Sequence, residues 1–229
     1  MKKTKKGKKI FEELKDKDTH KLEEAIDISK KYSSKKFDES LDISIILGID
    51  AKKSDQQVRG VLSLPKMPAK KVKVAVFADG DDIEKAKNAG ADIVGGDELI
   101  ETVKKGELNF DKCISTQKMM PKVSTLGQVL GPKGLMPNPK LGTVTNNVIE
   151  AIKKVKSGQL EYKTDKSGII HVSVGKTSFS NEELKKNISF LIEELKKKKP
   201  ESSKGVFIKK FFINSTMGPG LQVDPTSVM

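Results

Sequence analysis

Two breaks divide this chain, and the hydrophobic period changes on either side of each. The first, Leu64-Pro65-Lys66-Met67-Pro68, holds two prolines, each of which fixes φ and turns its predecessor away from helix. The second is Ser157-Gly158. Ahead of the first break, Leu22, Ala25, Ile26 and Ser29 recur at helical spacing after Thr19. A strand follows in which Leu41, Ile43, Ile45 and Leu47 alternate with Ser40, Asp42 and Ser44. The polar trio must then face away from the core. A loop from Gly48 to Gln57 leads to a second short strand, Val58 to Leu64.

Between the breaks the pattern is strand, glycine or aspartate turn, helix, with strands at 72–78, 91–94 and 110–116 and helices at 81–89 and 97–105. Such alternation makes βα units feeding a parallel sheet. A stretch rich in glycine and proline, Gly127 to Gly142, and a helix from Thr145 to Lys156 with Val148, Ile149, Ile152 and Val155 on one side complete this segment. After the second break, Leu160 and Tyr162 read as a strand that turns at 165–168 and returns as a hairpin. Ile170, Val172 and Val174 take one face of its second arm; Ile169, His171 and Ser173 take the other. Ser180 and Glu183 have capping-box spacing ahead of a stripe of Leu184, Ile188, Leu191, Ile192 and Leu195, and a last strand runs from Gly205 to Asn214.

Each outer segment is too thin to cover its own strands, but joined they give two helices on four or five strands. The expected fold is α/β with two domains. One is a discontinuous two-layer α/β domain from both termini, residues 1–68 plus 159–229. The other is an inserted Rossmann-like three-layer α/β domain, residues 69–158, and the close-set breaks act as a hinge.

Charge narrows the partner class. In 229 residues, 44 are Lys or Arg against 31 Asp or Glu, a net charge of +13, and the sole arginine is Arg59. Lysine is a flexible point charge suited to phosphate, whereas arginine carries the planar fork that reads guanine edges. A codon bias towards lysine accounts for part of the count. The surplus over acid, concentrated outside 69–158, points to a polyanion, with nucleic acid foremost. Lysines 2, 3, 5, 6, 8 and 9 form a basic arm. No apolar run approaches the ~20 residues that cross a bilayer, and Glu12-Glu13 interrupts any signal-like core. No membrane association is expected, and a reducing, cytoplasmic setting fits the single cysteine.

Catalytic and metal motifs are missing. Cys113, His20 and His171 cannot make a zinc cage. Gly131-Pro132-Lys133-Gly134 lacks phosphate-loop spacing, and no dinucleotide fingerprint follows the strand at 72–78. Cys113 falls in an apolar strand and reads as an inert core thiol. No catalytic residue, metal or cofactor is expected, although the βα alternation alone leaves room for a Rossmann-like enzyme or small-molecule carrier with a diverged loop.

Several strings carry more than composition: Lys36-Phe37-Asp38-Glu39-Ser40, Gly48-Ile49-Asp50, Ser54-Asp55-Gln56-Gln57-Val58-Arg59-Gly60, Gly90-Ala91-Asp92 with Val94-Gly95-Gly96, Leu130-Gly131-Pro132-Lys133-Gly134-Leu135-Met136-Pro137-Asn138-Pro139-Lys140, and Ser215-Thr216-Met217-Gly218-Pro219. Together, in order from about residue 9 to 224, they resemble the bacterial L-one family of the large ribosomal subunit's mobile side stalk. The resemblance implies a cytoplasmic structural protein that binds structured large-subunit ribosomal RNA and is a monomer when free. It further implies help in the movement and release of exit-site tRNA, and repression of translation by binding a similar shape in its own mRNA.

Carried over position by position, the resemblance implies RNA-binding roles for Lys36, Phe37, Glu39, Ser40 and Asp42, for His171, Lys176 and Ser178, and for Thr216, Met217 and Gly218. Lys133 and Lys140 are secondary candidates. Residue by residue the reading stays open: Phe37 either closes the helix on the strand or meets a base or sugar, Met217 either packs on the sheet or contacts RNA, and His171 is either a contact or plainly solvated. No core pattern demands Thr216-Met217-Gly218, which leaves the Thr216 hydroxyl for a ribose and Gly218 for close backbone approach. The near absence of arginine departs from relatives and argues against base-edge readout by a guanidinium.

Overall fold

The alternation at residues 40–47 becomes the strand around which the terminal segments are organised. The structure, a computed structural model, describes Ile10 and residues 19–34, 36–66, 72–106, 108–203 and 205–227. The basic arm at residues 1–9 and the Met67-Pro68 half of the first break lie outside the described residues. The chain divides into two compact units, Met1–Pro68 with Glu161–Met229, and Ala69–Leu160.

The first unit contains α1 (Leu22–Lys31), β1 (Ser40–Leu47) and β2 (Arg59–Ser63). The second contributes β3 (Val74–Phe77), α2 (Asp81–Asn88), β4 (Ile93–Gly95), α3 (Asp97–Lys104), β5 (Lys112–Ser115), α4 (Met120–Ser124), α5 (Gly127–Leu130) and α6 (Val148–Lys156). Then come β6 (Gln159–Lys163), β7 (Ile169–Lys176), α7 (Asn181–Lys197), β8 (Ile208–Ser215) and β9 (Leu221–Val223).

In the terminal unit the main sheet has the order β7-β1-β8-β9, antiparallel throughout. Leu41, Ile43, Ile45 and Leu47 are buried against one layer formed by α1 and α7, while Ser40, Asp42 and Ser44 point to the opposite side. Burying each of those aliphatic side chains stabilises the fold by about 1.5–3 kcal/mol. Ser180 accepts from Glu183 N–H and Glu183 returns the bond to Ser180 N–H, so the capping box starts α7 where its spacing placed it. Asn187, fully buried in α7, uses its amide on Val174 O, Lys66 O and Lys66 N–H (2.8, 2.7 and 3.3 Å), which docks the 64–66 segment on the helix.

The expected hairpin between residues 160–162 and 170–174 is reduced to its turn, where Asp165 Oδ1 accepts from Ser167 and Ile169 N–H, both at 2.8 Å, and a single antiparallel bridge joins Thr164 to Ile170. Beyond it the two strands pair elsewhere. β7 then pairs with β1, whose alternation matches its own, while β6 pairs with β2 in a separate two-stranded sheet. β9 is also additional: the chain reverses after β8 and adds an antiparallel strand.

The Ala69–Leu160 unit is built on a parallel sheet of order β4-β3-β5. Its two faces pack against different cores. Ala75, Phe77 and Cys113 meet Leu99, Ile100 and Val103 of α3 and Val123, Leu126 and Leu130 of the α4–α5 region. Val74, Val76 and Ile114 meet Ala86, Val148, Ala151 and Ile152 on the other face. The glycine-rich stretch begins as helix because Val123, Leu126 and Leu130 fall on one side at spacings of three and four. Ile149 is exposed; Ala151 occupies the inward position that the sequence pattern assigned to it.

Candidate nucleic-acid interface

The side of the terminal sheet opposite α1 and α7 carries a polar surface. Antiparallel register sets its rows directly: Ser173–Asp42–Asn214 lie side by side, and next to them His171–Ser44–Phe212–Gln222. Asp42, Ser44, His171, Ser173 and Asn214 rim a shallow depression of about 330 Å³. Hydroxyl, carboxylate, carboxamide and imidazole groups line it. That inventory suits ribose hydroxyls, which both donate and accept, better than it suits bare phosphate.

A bulge controls which β7 residues join this face. Leu41 pairs with Gly175 but Asp42 pairs with Ser173, so Val174 is the extra residue and the alternation changes phase there. Val174 and Gly175 both turn towards the helical layer, where a Cβ on Gly175 would press on Leu184 and the Phe179 ring. Lys176 is thereby returned to the side of Asp38. The Asp38 carboxylate accepts from Thr177 Oγ1 (3.1 Å), Ser178 N–H (3.2 Å) and Ser178 Oγ (2.8 Å), with Lys176 Nζ 3.6 Å away. The Ser178 hydroxyl first, then the Thr177 hydroxyl, Ser178 N–H and Lys176, hold the Asp38 carboxyl below its ordinary value.

Glu39 stands at the centre of the adjoining loops. It is fully buried, its carboxylate accepts from Ser34 N–H (2.6 Å) and Met217 N–H (3.2 Å), and its carbonyl accepts from Thr177 N–H (2.9 Å). The structure therefore places Glu39 beneath the surface, as the group that ties the 34–38, 177–178 and 216–218 loops together. Thr216 is engaged as well: its Oγ1 accepts from Ser40 N–H at 3.1 Å and its N–H donates to Ser40 O at 3.2 Å. The expectation of an uncommitted Thr216 hydroxyl fails because the turn after β8 closes on the start of β1. Gly218 does not have a left-handed φ. A Cβ there would collide with Ser215 Oγ, so its close approach is to its own turn.

Phe37 and Met217, half and two-thirds exposed at 50% and 65%, are not packing residues. With exposed Lys36 and Ser178 they border the same loop cluster, at the Ser40 end of the open face. Segments 36–42, 171–178 and 216–218 thus converge on one continuous surface. Lys133 is exposed in the turn after α5, in the Ala69–Leu160 unit. Lys140 belongs to the short helical turn Pro139–Leu141 of that unit, and its side chain lies outside the described residues. Sequence reasoning missed Asn214, Phe212 and Gln222. The signal was the alternation of Lys210, Phe212 and Asn214 with Phe211 and Ile213 in β8. Cys113 is buried in β5, and burial pushes its thiol up, away from the reactive thiolate.

The chain matches known proteins along most of its length. The model of the ribosomal protein L1p/L10e family matches residues 29–219. The large ribosomal subunit protein uL1 of Legionella pneumophila (strain Corby) is 54% identical over 225 residues, 98% of this chain and 97% of its own. The protein of the same name from Coxiella burnetii (strain RSA 493 / Nine Mile phase I) is 51% identical over the same length and shares.

Proposed function

This chain belongs to the ribosomal protein L1p/L10e family, and from that premise we propose that it binds large-subunit ribosomal RNA through the open face of its antiparallel sheet and the adjoining loops. It is a structural protein and not an enzyme. The observation that carries the reading is the convergence of segments 36–42, 171–178 and 216–218 on a sheet face that no helix among the described residues covers. An antiparallel sheet can keep one face in water, and it is the exposed Phe37 and Met217 beside this one that make it a surface for a partner.

The binding domain is residues 1–68 plus 159–229, and the inserted domain, 69–158, adds Lys133 and Lys140 as secondary contacts. On the ribosome the protein stands on the side stalk, where it assists exit-site tRNA movement and release. Free protein, a monomer, binds a similar RNA shape in its own messenger and represses translation. Lysines outside the depression supply phosphate contacts, while the neutral polar groups within it discriminate RNA from DNA by the 2′-hydroxyl.

Titration of the full chain with large-subunit ribosomal RNA and with duplex DNA tests the binding reading. Asp42→Asn combined with Asn214→Ala should weaken ribosomal RNA binding by about 1–3 kcal/mol and should not weaken binding to DNA, since the loss of a carboxylate can only favour a polyanion. Equal losses for both nucleic acids would reduce the face to a general polyanion surface. Translation of a reporter that carries the chain's own messenger leader should fall on adding free protein and recover on adding ribosomal RNA; an unaffected reporter would remove the repressor role.

A further inference from the structure

On the open face, Ser44 of the central strand and His171 of the edge strand occupy directly paired positions, and Ser44 Oγ lies 3.0 Å from His171 Nδ1. One ring nitrogen is thus spoken for within the protein. The nearby carboxylate, Asp165, has its Oδ1 held by the N–H groups of Ser167 and Ile169. We infer that Ser44 is a positioning residue: its hydroxyl donates to Nδ1, fixes the neutral imidazole as the Nε2–H tautomer, and so presents a hydrogen-bond donor from His171 to an RNA acceptor.

Three steps support the assignment. A neutral imidazole has one donor and one acceptor nitrogen, and the partner of the first decides the role of the second. The Ser44 hydroxyl can donate to Nδ1 or accept from Nδ1–H; the Nε2–H form is the one a neutral histidine favours intrinsically, donation from Ser44 reinforces it, and the protonated ring carries a proton on both nitrogens. Placement completes the argument: His171 is exposed on the rim of the depression while Ser44 lies deeper on the central strand, which leaves Nε2 as the nitrogen available to a ligand. The ligand group is an oxygen acceptor of RNA, either a ribose hydroxyl or a non-bridging phosphate oxygen.

This inference rests on the open-face reading of RNA binding, and its test separates the two. The ¹⁵N spectrum of full-length protein at pH 8 reports the tautomer of each of its two histidines, His20 and His171. Wild type and Ser44→Thr should show His171 with a protonated Nε2 and unprotonated Nδ1, whereas Ser44→Ala should show a mixture. In titrations with large-subunit ribosomal RNA, Ser44→Ala should weaken binding about fivefold, Ser44→Thr should restore it, and Ser44→Ala should add nothing in a His171→Ala background. A tautomer unaffected by Ser44→Ala, or losses that simply multiply in the double variant, would overturn the proposal. If His171→Ala alone left affinity intact while Asp42→Asn with Asn214→Ala weakened it, this inference would fail and the open face would stand. Intact affinity in all of these variants would instead remove the open-face reading itself.

Discussion

The two main sheets of this protein differ in how many of their faces are covered. The parallel sheet β4-β3-β5 has apolar packing on both faces, and all four residues of β3, Val74 to Phe77, are buried. The antiparallel sheet β7-β1-β8-β9 has helices on one face, and β1 alternates buried and partly exposed along its whole length. A strand covered twice has no side chain to spare for a ligand. A strand covered once offers every second residue, at a spacing set by the ladder and therefore more rigid than a loop can provide.

The largest effect that separates the two sheets should come from truncating the doubly covered one. Phe77→Ala removes a fully buried aromatic from β3 and should cost about 3–5 kcal/mol of stability, read from urea titration. Asn214→Ala on the open face should change stability by less than about 0.5 kcal/mol. Similar losses for both would mean that the open face is packed in solution.

Glu39→Ala comes next. Removing the buried carboxylate leaves the Ser34 and Met217 N–H groups without their acceptor, and should cost about 2–3 kcal/mol together with RNA affinity. If affinity fell with stability unchanged, Glu39 would be a contact and not the tie beneath the loops. Gly218→Ala should cost about 1–2 kcal/mol through its collision with Ser215 Oγ, and Ser215→Ala, which deletes an oxygen that has no hydrogen-bond partner among the described residues, should recover most of that loss. No recovery would place the demand for glycine at 218 outside this turn.

The smallest effect concerns Asp38. Its carboxyl sits below the ordinary aspartate range, chiefly through the Ser178 hydroxyl. A depressed folded value stabilises the protein above the unfolded value, near 3.9, and that contribution disappears as pH falls through the folded one. The stability advantage of wild type over Asp38→Asn in urea should therefore be larger at pH 5 than at pH 3. An equal advantage at both would show that the charge does not stabilise the loop cluster.

The sequence carried the β1 alternation, the α1 face, the capping box of α7 and the βα order of the 69–160 region because each is a local pattern with its own period. It did not carry partner choice between strands. β6 and β7 have hairpin spacing, yet the match between β7 and β1 sends them to different sheets beyond the turn at Asp165. Nor did it carry burial in irregular segments: nothing in Lys36-Phe37-Asp38-Glu39-Ser40 says that Phe37 is exposed and Glu39 enclosed, since those outcomes depend on Met217 and Thr177, more than a hundred residues away. The face of β8 was legible from Lys210, Phe212 and Asn214, and it completes the rows begun by β1 and β7.

Side-chain oxidation by hydroxyl radicals, compared between free full-length protein and its complex with large-subunit ribosomal RNA, tests the central claim most directly. The account predicts protection of His171, Phe212, Phe37 and Met217, which report the depression and its loop border, with Ile149, exposed on α6, oxidised as before. Protection confined to the 69–160 region, with His171 and Phe212 as reactive in the complex as in the free protein, would contradict it.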